Sequence, residues 1–222
     1  MKDVKKFEDE SVFGDQASKP GQAVQLGSPV AKSSRPGSAT NAELMSRARV
    51  ALKGHWGLVI AVLITYGLVD AISGLVVIGP LIVGGPLTLG YAAFHLNVAR
   101  HKDVAFPVLF TGFSNFVTSL LAMIVLPILI VLWSLLLIIP GIMAAFSYAM
   151  TFYVMADNPK LNVMECIRKS KGIMYGNRMK LFFLSCRFIG WYILGMFSLG
   201  IGFLWIIPYQ AVSFAHFYDD IK

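Results

Sequence analysis

Between clumps of charge, this 222-residue chain carries uninterrupted apolar segments, each close to the roughly 20 residues a helix needs to cross about 30 Å of hydrocarbon. That feature decides its solvent. With 56% hydrophobic and 14% charged residues, a water-soluble domain of this length would have no interior large enough to hide its apolar surface. The chain is therefore expected to be an all-α, polytopic helical membrane protein. Its net charge of +7 suits either nucleic acid or anionic lipid. The basic residues lie in loops between apolar segments, which selects membrane lipid headgroups as partners, leaves a protein partner unspecified and excludes nucleic acid. The two cysteines, Cys166 in a polar loop and Cys186 in an apolar run, make no disulfide framework and read as free thiols. The first strongly apolar segment begins at Trp56, too far in for a cleavable signal peptide, so the first span is expected to be its own insertion signal.

Residues 1–40 are rich in Gly, Pro, Ser and mixed charge and are expected to form a disordered cytoplasmic tail, because they cannot bury enough apolar surface to offset their ordering entropy. At T-N-A-E, Thr40 and Glu43 offer a capping box. Residues 41–55 are then expected to form an amphipathic interfacial helix. Leu44, Met45, Ala48 and Leu52 would lie on one flank, Arg47, Arg49 and Lys53 largely on another, and Trp56 would anchor at headgroup level.

Residues 56–222 are expected to form a six-span membrane domain, with spans at 57–78, 82–99, 116–139, 141–156, 181–198 and 201–218. The stretches IGPLIVGGP, IIPGI and SLGIG between paired spans carry no charge, whereas Arg100, Lys102, Lys160, Arg168, Lys169, Lys171, Arg178 and Lys180 fall on the other side with the N-terminal flank. The positive-inside rule then places both termini and the charged loops in the cytoplasm. Three hairpins with almost no outer loop result. Pro86 and Pro140 would start helices after the turns, and Pro208 would kink the sixth span.

Short cytoplasmic interfacial helices complete the expected fold. Phe106, Leu109, Phe110 and Phe113 stand at the spacing of one helix face. Further on, Asn158 is placed to cap a helix and Pro159 to occupy its first position, with Leu161, Met164, Ile167 and Met174 along one side. The other side is basic, and each cation near an anionic surface is worth about 1 kcal/mol.

Asp70 is the one acid inside a span, about 21 Å along the helix from Trp56. It is a candidate ion or proton site, since an ionisable group at depth is functional by default, although a place near the outer interface would also accommodate it. Arg187 is expected to snorkel to the cytoplasmic headgroups, and its depth disfavours pairing with Asp70. His95, Asn97 and His216 fit interhelical hydrogen bonding better than metal ligation, for no carboxylate or thiol completes a site at known spacing. Asp157 reads as helix-start chemistry, and Asp219 with Asp220 as an acidic end. Gly67, Ala71 and Gly74, and likewise Gly141, Ala145 and Ala149, form small-residue stripes suited to close packing. No Ser-His-Asp set, intramembrane carboxylate pair or phosphate-cradling loop can be assembled, so no enzyme activity, cofactor or metal is expected.

Several ordered motifs carry a resemblance: L-K-G-H-W-G at 52–57, G-G-P-L-T-L-G-Y at 84–91, L-F-T-G-F at 109–113, L-W-S-L-L-L-I-I-P-G-I at 132–142, A-D-N-P at 156–159, and I-G-W with G-I-G-F-L-W-I-I-P-Y at 189–209. Over about residues 42 to 220 the chain resembles the bacterial membrane proteins of domain-of-unknown-function family 975. The resemblance implies a multi-span bacterial inner-membrane protein and carries no activity or site residue. The functional expectation is a non-enzymatic protein of the cytoplasmic membrane that organises anionic lipid, contacted by Arg47, Arg49, Lys53, Arg168, Lys169 and Lys171, or a partner protein. The alternative is a transporter or channel for a small or amphipathic solute, using Asp70.

Overall fold

Helices alone build the backbone among the described residues, which in this computed structural model are 36–75, 79–102 and 104–222. Most of the predicted 1–40 tail lies outside them. In chain order the elements are α1 (Asn41–Leu52), α2 (Trp56–Ser73), α3 (Gly79–Ala99), a 3-10 segment (Phe106–Asn115) running into α4 (Phe116–Leu136), α5 (Ile138–Tyr148), α6 (Thr151–Asp157), α7 (Val163–Ile173), α8 (Arg178–Phe197) and α9 (Phe203–Ile221). Five segments are long and apolar enough to cross a membrane: α2, α3, the 3-10 segment with α4, α5 with α6, and α8. They suggest a multi-pass membrane protein. Exposed side chains such as Ile64, Leu68, Ile128, Val131 and Ile193 give these helices the apolar exterior that a hydrocarbon solvent demands.

The predicted sixth span, α9, is not among the five. It carries Gln210, Ser213, His216, Asp219 and Asp220, and from Tyr209 to Ile221 most of its side chains are buried. Together with α3 it forms the centre. α1, α2 and α8 pack on α9, while α2, α4, α6 and the 3-10 segment pack on α3.

The tightest packing is backbone to backbone. A methyl group built on Gly90 would stand 1.7 Å from the Leu109 carbonyl oxygen, one on Gly112 1.9 Å from that of Pro86, and one on Gly85 2.5 Å from that of Ser119. The glycines of G-G-P-L-T-L-G thus let α3 touch the 3-10 segment and α4 with no side chain between them. Pro86 accordingly lies inside α3 and does not start it. The 3-10 repeat of three also changes the predicted face: Leu109 and Gly112 are buried, whereas Phe110 and Phe113 stay exposed. Of the two expected stripes only Gly141 packs closely, against Ser134. Gly67 has no neighbour within 4 Å and Gly74 meets only its own helix, while Ala149 is exposed.

Leu137 alone joins α4 to α5, in extended conformation (φ −162, ψ 143). Pro140 sits in the first turn of α5, where its missing N–H would have had no helical partner. A methyl on Gly141 would come within 2.1 Å of Ser134 Oγ, so glycine lets the hairpin close. The predicted fourth span is interrupted between Tyr148 and Thr151. There the Thr151 hydroxyl donates to the Tyr148 carbonyl at 2.7 Å, and the Ser147 hydroxyl donates to that of Met143, the kind of back-bonding that bends helices.

Thr40 caps α1 as expected, its hydroxyl accepting the Glu43 N–H at 3.2 Å. Glu43 itself pairs with Arg47. The predicted apolar flank of α1 is buried, yet against α9, α3 and α8. α7 starts later than predicted. Its cap is Asn162, in a capping box with Glu165 closed by two 2.9 Å hydrogen bonds, whereas Asn158 ends α6. The buried face is Val163, Cys166, Ile167 and Ser170; Met164, placed on that side by sequence, is exposed.

Candidate functional site

The charged residues gather at one end of the bundle, where α3, α6 and α9 finish and α8 begins. Arg100, one residue past α3, lies between two carboxylates: Nη1 donates to Asp157 Oδ1 at 2.6 Å and Nη2 to Asp219 Oδ1 at 2.7 Å. Lys222 closes the square, with Nζ 3.1 Å from Asp157 Oδ2 and 2.8 Å from Asp219 Oδ1. The Tyr218 hydroxyl adds a bond to Asp157 Oδ2 at 3.2 Å. Two cations and two anions alternate, so the cluster is neutral. Burial opposes charge on Asp219, but hydrogen bonds from Arg100 and Lys222 outweigh it and hold the carboxyl below its usual range. The Asp219 hydrogen bond raises Arg100 further above its already high value, against the cost of burial.

A second pairing fastens the N-terminal flank. Lys180 Nζ donates to Asp220 Oδ2 at 2.6 Å and to the Gly37 carbonyl at 3.0 Å. The Gly37 N–H donates to the Asp220 carbonyl at 2.6 Å, and the Ala39 N–H to Asp220 Oδ1 at 3.2 Å. Residues 37–39 are thereby tied to α8 and α9. Asp157 is the last residue of α6, so its expected helix-start role gives way to ion pairing, as does the simple acidic end expected of Asp219 and Asp220. Sequence reasoning placed all these charges on one side of the bundle, but periodicity holds no record of which helix ends become neighbours.

α7 presents the free charge. Its apolar side is seated on α5 and α6, and the buried Ser170 hydroxyl donates to the Ser147 carbonyl at 2.8 Å. Arg168, Lys169 and Lys171 point outward and are exposed. Lys169 reaches Asn158 Oδ1 at 3.2 Å, while Arg168 and Lys171 make no ion pair or side-chain hydrogen bond with the described residues. Both flanks of α7 attach to the charged end, through Asp157 and Lys180. The three predicted contacts on α1 divide differently. Lys53 is exposed and unpaired among the described residues, Arg47 is held by Glu43, and Arg49 donates to the Tyr209 hydroxyl at 2.9 Å with its guanidinium 5.7 Å from the ring centre. Arg49 therefore joins α1 to α9.

Asp70 lies four residues before the C-cap of α2, on an exposed side of the helix; its backbone carbonyl accepts from Ser73 and Gly74, and its carboxylate has no partner among the described residues. Arg187 is exposed on α8 and equally unpaired. The structure does not bring the two together. Inside the bundle, His95 is fully buried and its Nδ1–H donates to the Tyr91 carbonyl at 2.7 Å, which leaves Nε2 as a bare acceptor. That atom, the Tyr91 hydroxyl and His216 Nε2 are buried with no partner among the described residues. The Tyr91 ring lies tilted against that of Tyr66, centres 4.9 Å apart, and the Tyr66 hydroxyl bonds Thr88, while the Tyr192 hydroxyl donates to Gln210 on α9. Sequence reasoning missed this tyrosine cluster, because its members come from separate helices and only His95 stood out as ionisable. Among the described residues no three His, Cys, Asp or Glu side chains are grouped to hold a metal ion.

No curated protein and no solved structure matches the chain. A family match covers α5 through α9 with the end of α4, and so includes α7 and the Asp157, Lys180, Asp219, Asp220 and Lys222 of the charged end, but neither Arg100 nor the glycine contacts of α3: over residues 135–222 the chain matches the family described as protein of unknown function, DUF975.

Proposed function

We propose that this protein is a non-enzymatic module of the bacterial cytoplasmic membrane that gathers anionic lipid around its charged end. In this reading six helices enter the membrane as three hairpins and both termini lie in the cytoplasm. One observation carries it. α7 is locked to the bundle by its apolar face while Arg168, Lys169 and Lys171 project from the opposite side, so that beyond the first turn, which exposes Met164 and the capping Glu165, the helix offers cations. At about 1 kcal/mol per cation near an anionic surface, three are worth about 3 kcal/mol, on the order of a hundredfold in relative lipid affinity. The test is the association of spin-labelled phosphatidylglycerol, relative to phosphatidylcholine, with the reconstituted protein. Arg168→Gln, Lys169→Gln and Lys171→Gln together should remove most of the preference; an unchanged preference sinks the proposal.

The transporter alternative draws on the unpartnered polar atoms of Tyr91 and His95 inside the bundle. Asp70, its sequence-derived candidate, lies on the exposed side of α2, apart from them. Flux in proteoliposomes abolished by Asp70→Asn would favour transport over lipid gathering.

A further inference from the structure

The α4–α5 and α8–α9 turns, at the end of the bundle away from the ion pairs, expose large apolar side chains. Leu135 is 84% exposed, Ile138 75%, Phe197 83% and Leu199 94%. Neither turn, from Trp133 to Gly141 or from Met196 to Trp205, contains a charged residue. A turn emerging into water would leave these side chains solvated at full hydrophobic cost.

Most backbone N–H groups of the two turns are also bonded internally, those of Ile138, Ile139 and Leu199 having no acceptor among the described residues. Hydrocarbon offers no hydrogen bonds, so non-helical backbone survives there only when its polar groups are satisfied internally. At the first turn the Leu137 N–H donates to the Trp133 carbonyl and the Leu137 carbonyl accepts from the Gly141 N–H, both at 3.2 Å. The Ser134 hydroxyl turns back to the Ile130 carbonyl at 2.8 Å. At the second turn the N–H groups of Ser198, Gly200, Ile201 and Phe203 donate to the carbonyls of Leu194, Gly195, Ser198 and Gly200. The Ser198 hydroxyl donates to the Gly195 carbonyl and accepts the Gly202 N–H. Leu199 holds a φ of +55, a conformation that favours glycine; a leucine there gains nothing in water and an apolar contact in lipid.

Arg187 supplies a ruler. Exposed and unpaired among the described residues, its guanidinium must reach the headgroups beside the charged end. Phe197 follows ten residues later, about 15 Å along the helix, against about 30 Å of hydrocarbon. We propose that the α4–α5 and α8–α9 turns are seated in the hydrocarbon of the far leaflet and do not emerge into water, so that lipid acyl chains cover their exposed tips.

Nitroxide labels at Leu137→Cys and Leu199→Cys, in a Cys166→Ala, Cys186→Ser background reconstituted in phosphatidylcholine vesicles, test this by collision with oxygen and with a water-soluble nickel chelate. Both side chains are already exposed, so the label displaces no packing, and a label at Lys160→Cys, in the exposed loop between α6 and α7, reports the aqueous reference. Oxygen collisions several-fold above nickel collisions at both turns are expected. Nickel collisions matching the reference would overturn the proposal, as would low collision with both reagents accompanied by spin–spin broadening, which would mean that a second copy covers the tips. Because the vesicles hold no anionic lipid, this result is independent of the α7 test.

Discussion

Gly90→Ala is the sharpest test of how the centre of the bundle is built. The added methyl would stand 1.7 Å from the Leu109 carbonyl oxygen and 2.5 Å from its carbon, where ordinary contact begins near 3.4 Å. The 3-10 segment must therefore retreat by about 1.7 Å, since backbone atoms cannot swing aside as a side-chain end would. That retreat lifts the fully buried Leu109 from its seat and opens the reciprocal contact of Gly112 with Pro86. Overpacking alone costs about 1–3 kcal/mol, and partial unseating of a core leucine adds to it, so a loss of about 3 kcal/mol is expected. For a chain of this size that corresponds to a fall of roughly 10 °C in midpoint. Cys166 is fully buried, so its reaction with a thiol-specific dye during a thermal ramp in detergent reports unfolding. Gly67→Ala is the matched control: it adds the same methyl within α2 with no neighbour inside 4 Å, and should be neutral or stabilising by up to about 1 kcal/mol. Equal shifts for the two variants would refute backbone-to-backbone packing of α3 on the 3-10 segment.

Other predictions concern the charged end and Asp70. The folded Asp219 carboxyl is held below its usual range, so its pairing contributes stability fully above the ordinary carboxylate pKa of about 3.9 and loses it as pH falls through the lower folded value; Arg100→Gln should flatten that acid limb in a pH series of midpoints. Lys180→Met removes the cation that holds Asp220 and Gly37, and should speed amide exchange at Gly37 and Ala39 while leaving the Arg100 cluster protected. Asp70→Asn touches no described side-chain partner, so the midpoint should move by less than about 0.5 kcal/mol, and any lost flux would then be functional.

The fold class, the charge asymmetry between the two ends and the helix start at Thr40 follow from sequence alone, and the break expected at Pro140 lies at Leu137, because hydropathy, caps and proline act within a few residues of where they occur. Tertiary structure decided the rest. Periodicity showed that Leu44, Met45, Ala48 and Leu52 share a flank of α1 but not whether lipid or α9 would cover it, since both are apolar. Small residues marked two stripes for packing, yet of these only Gly141 makes a close approach, and the glycines that join α3 to its neighbours are Gly85, Gly90 and Gly112, because close approach depends on what stands opposite. Arg49, Arg100 and Lys180 looked like any other basic residue near a membrane, and only the meeting of distant helix ends separates them, as ties within the fold, from Arg168 and Lys171. A charge's role depends on its nearest opposite charge, and that neighbour lies up to 119 residues away along the chain.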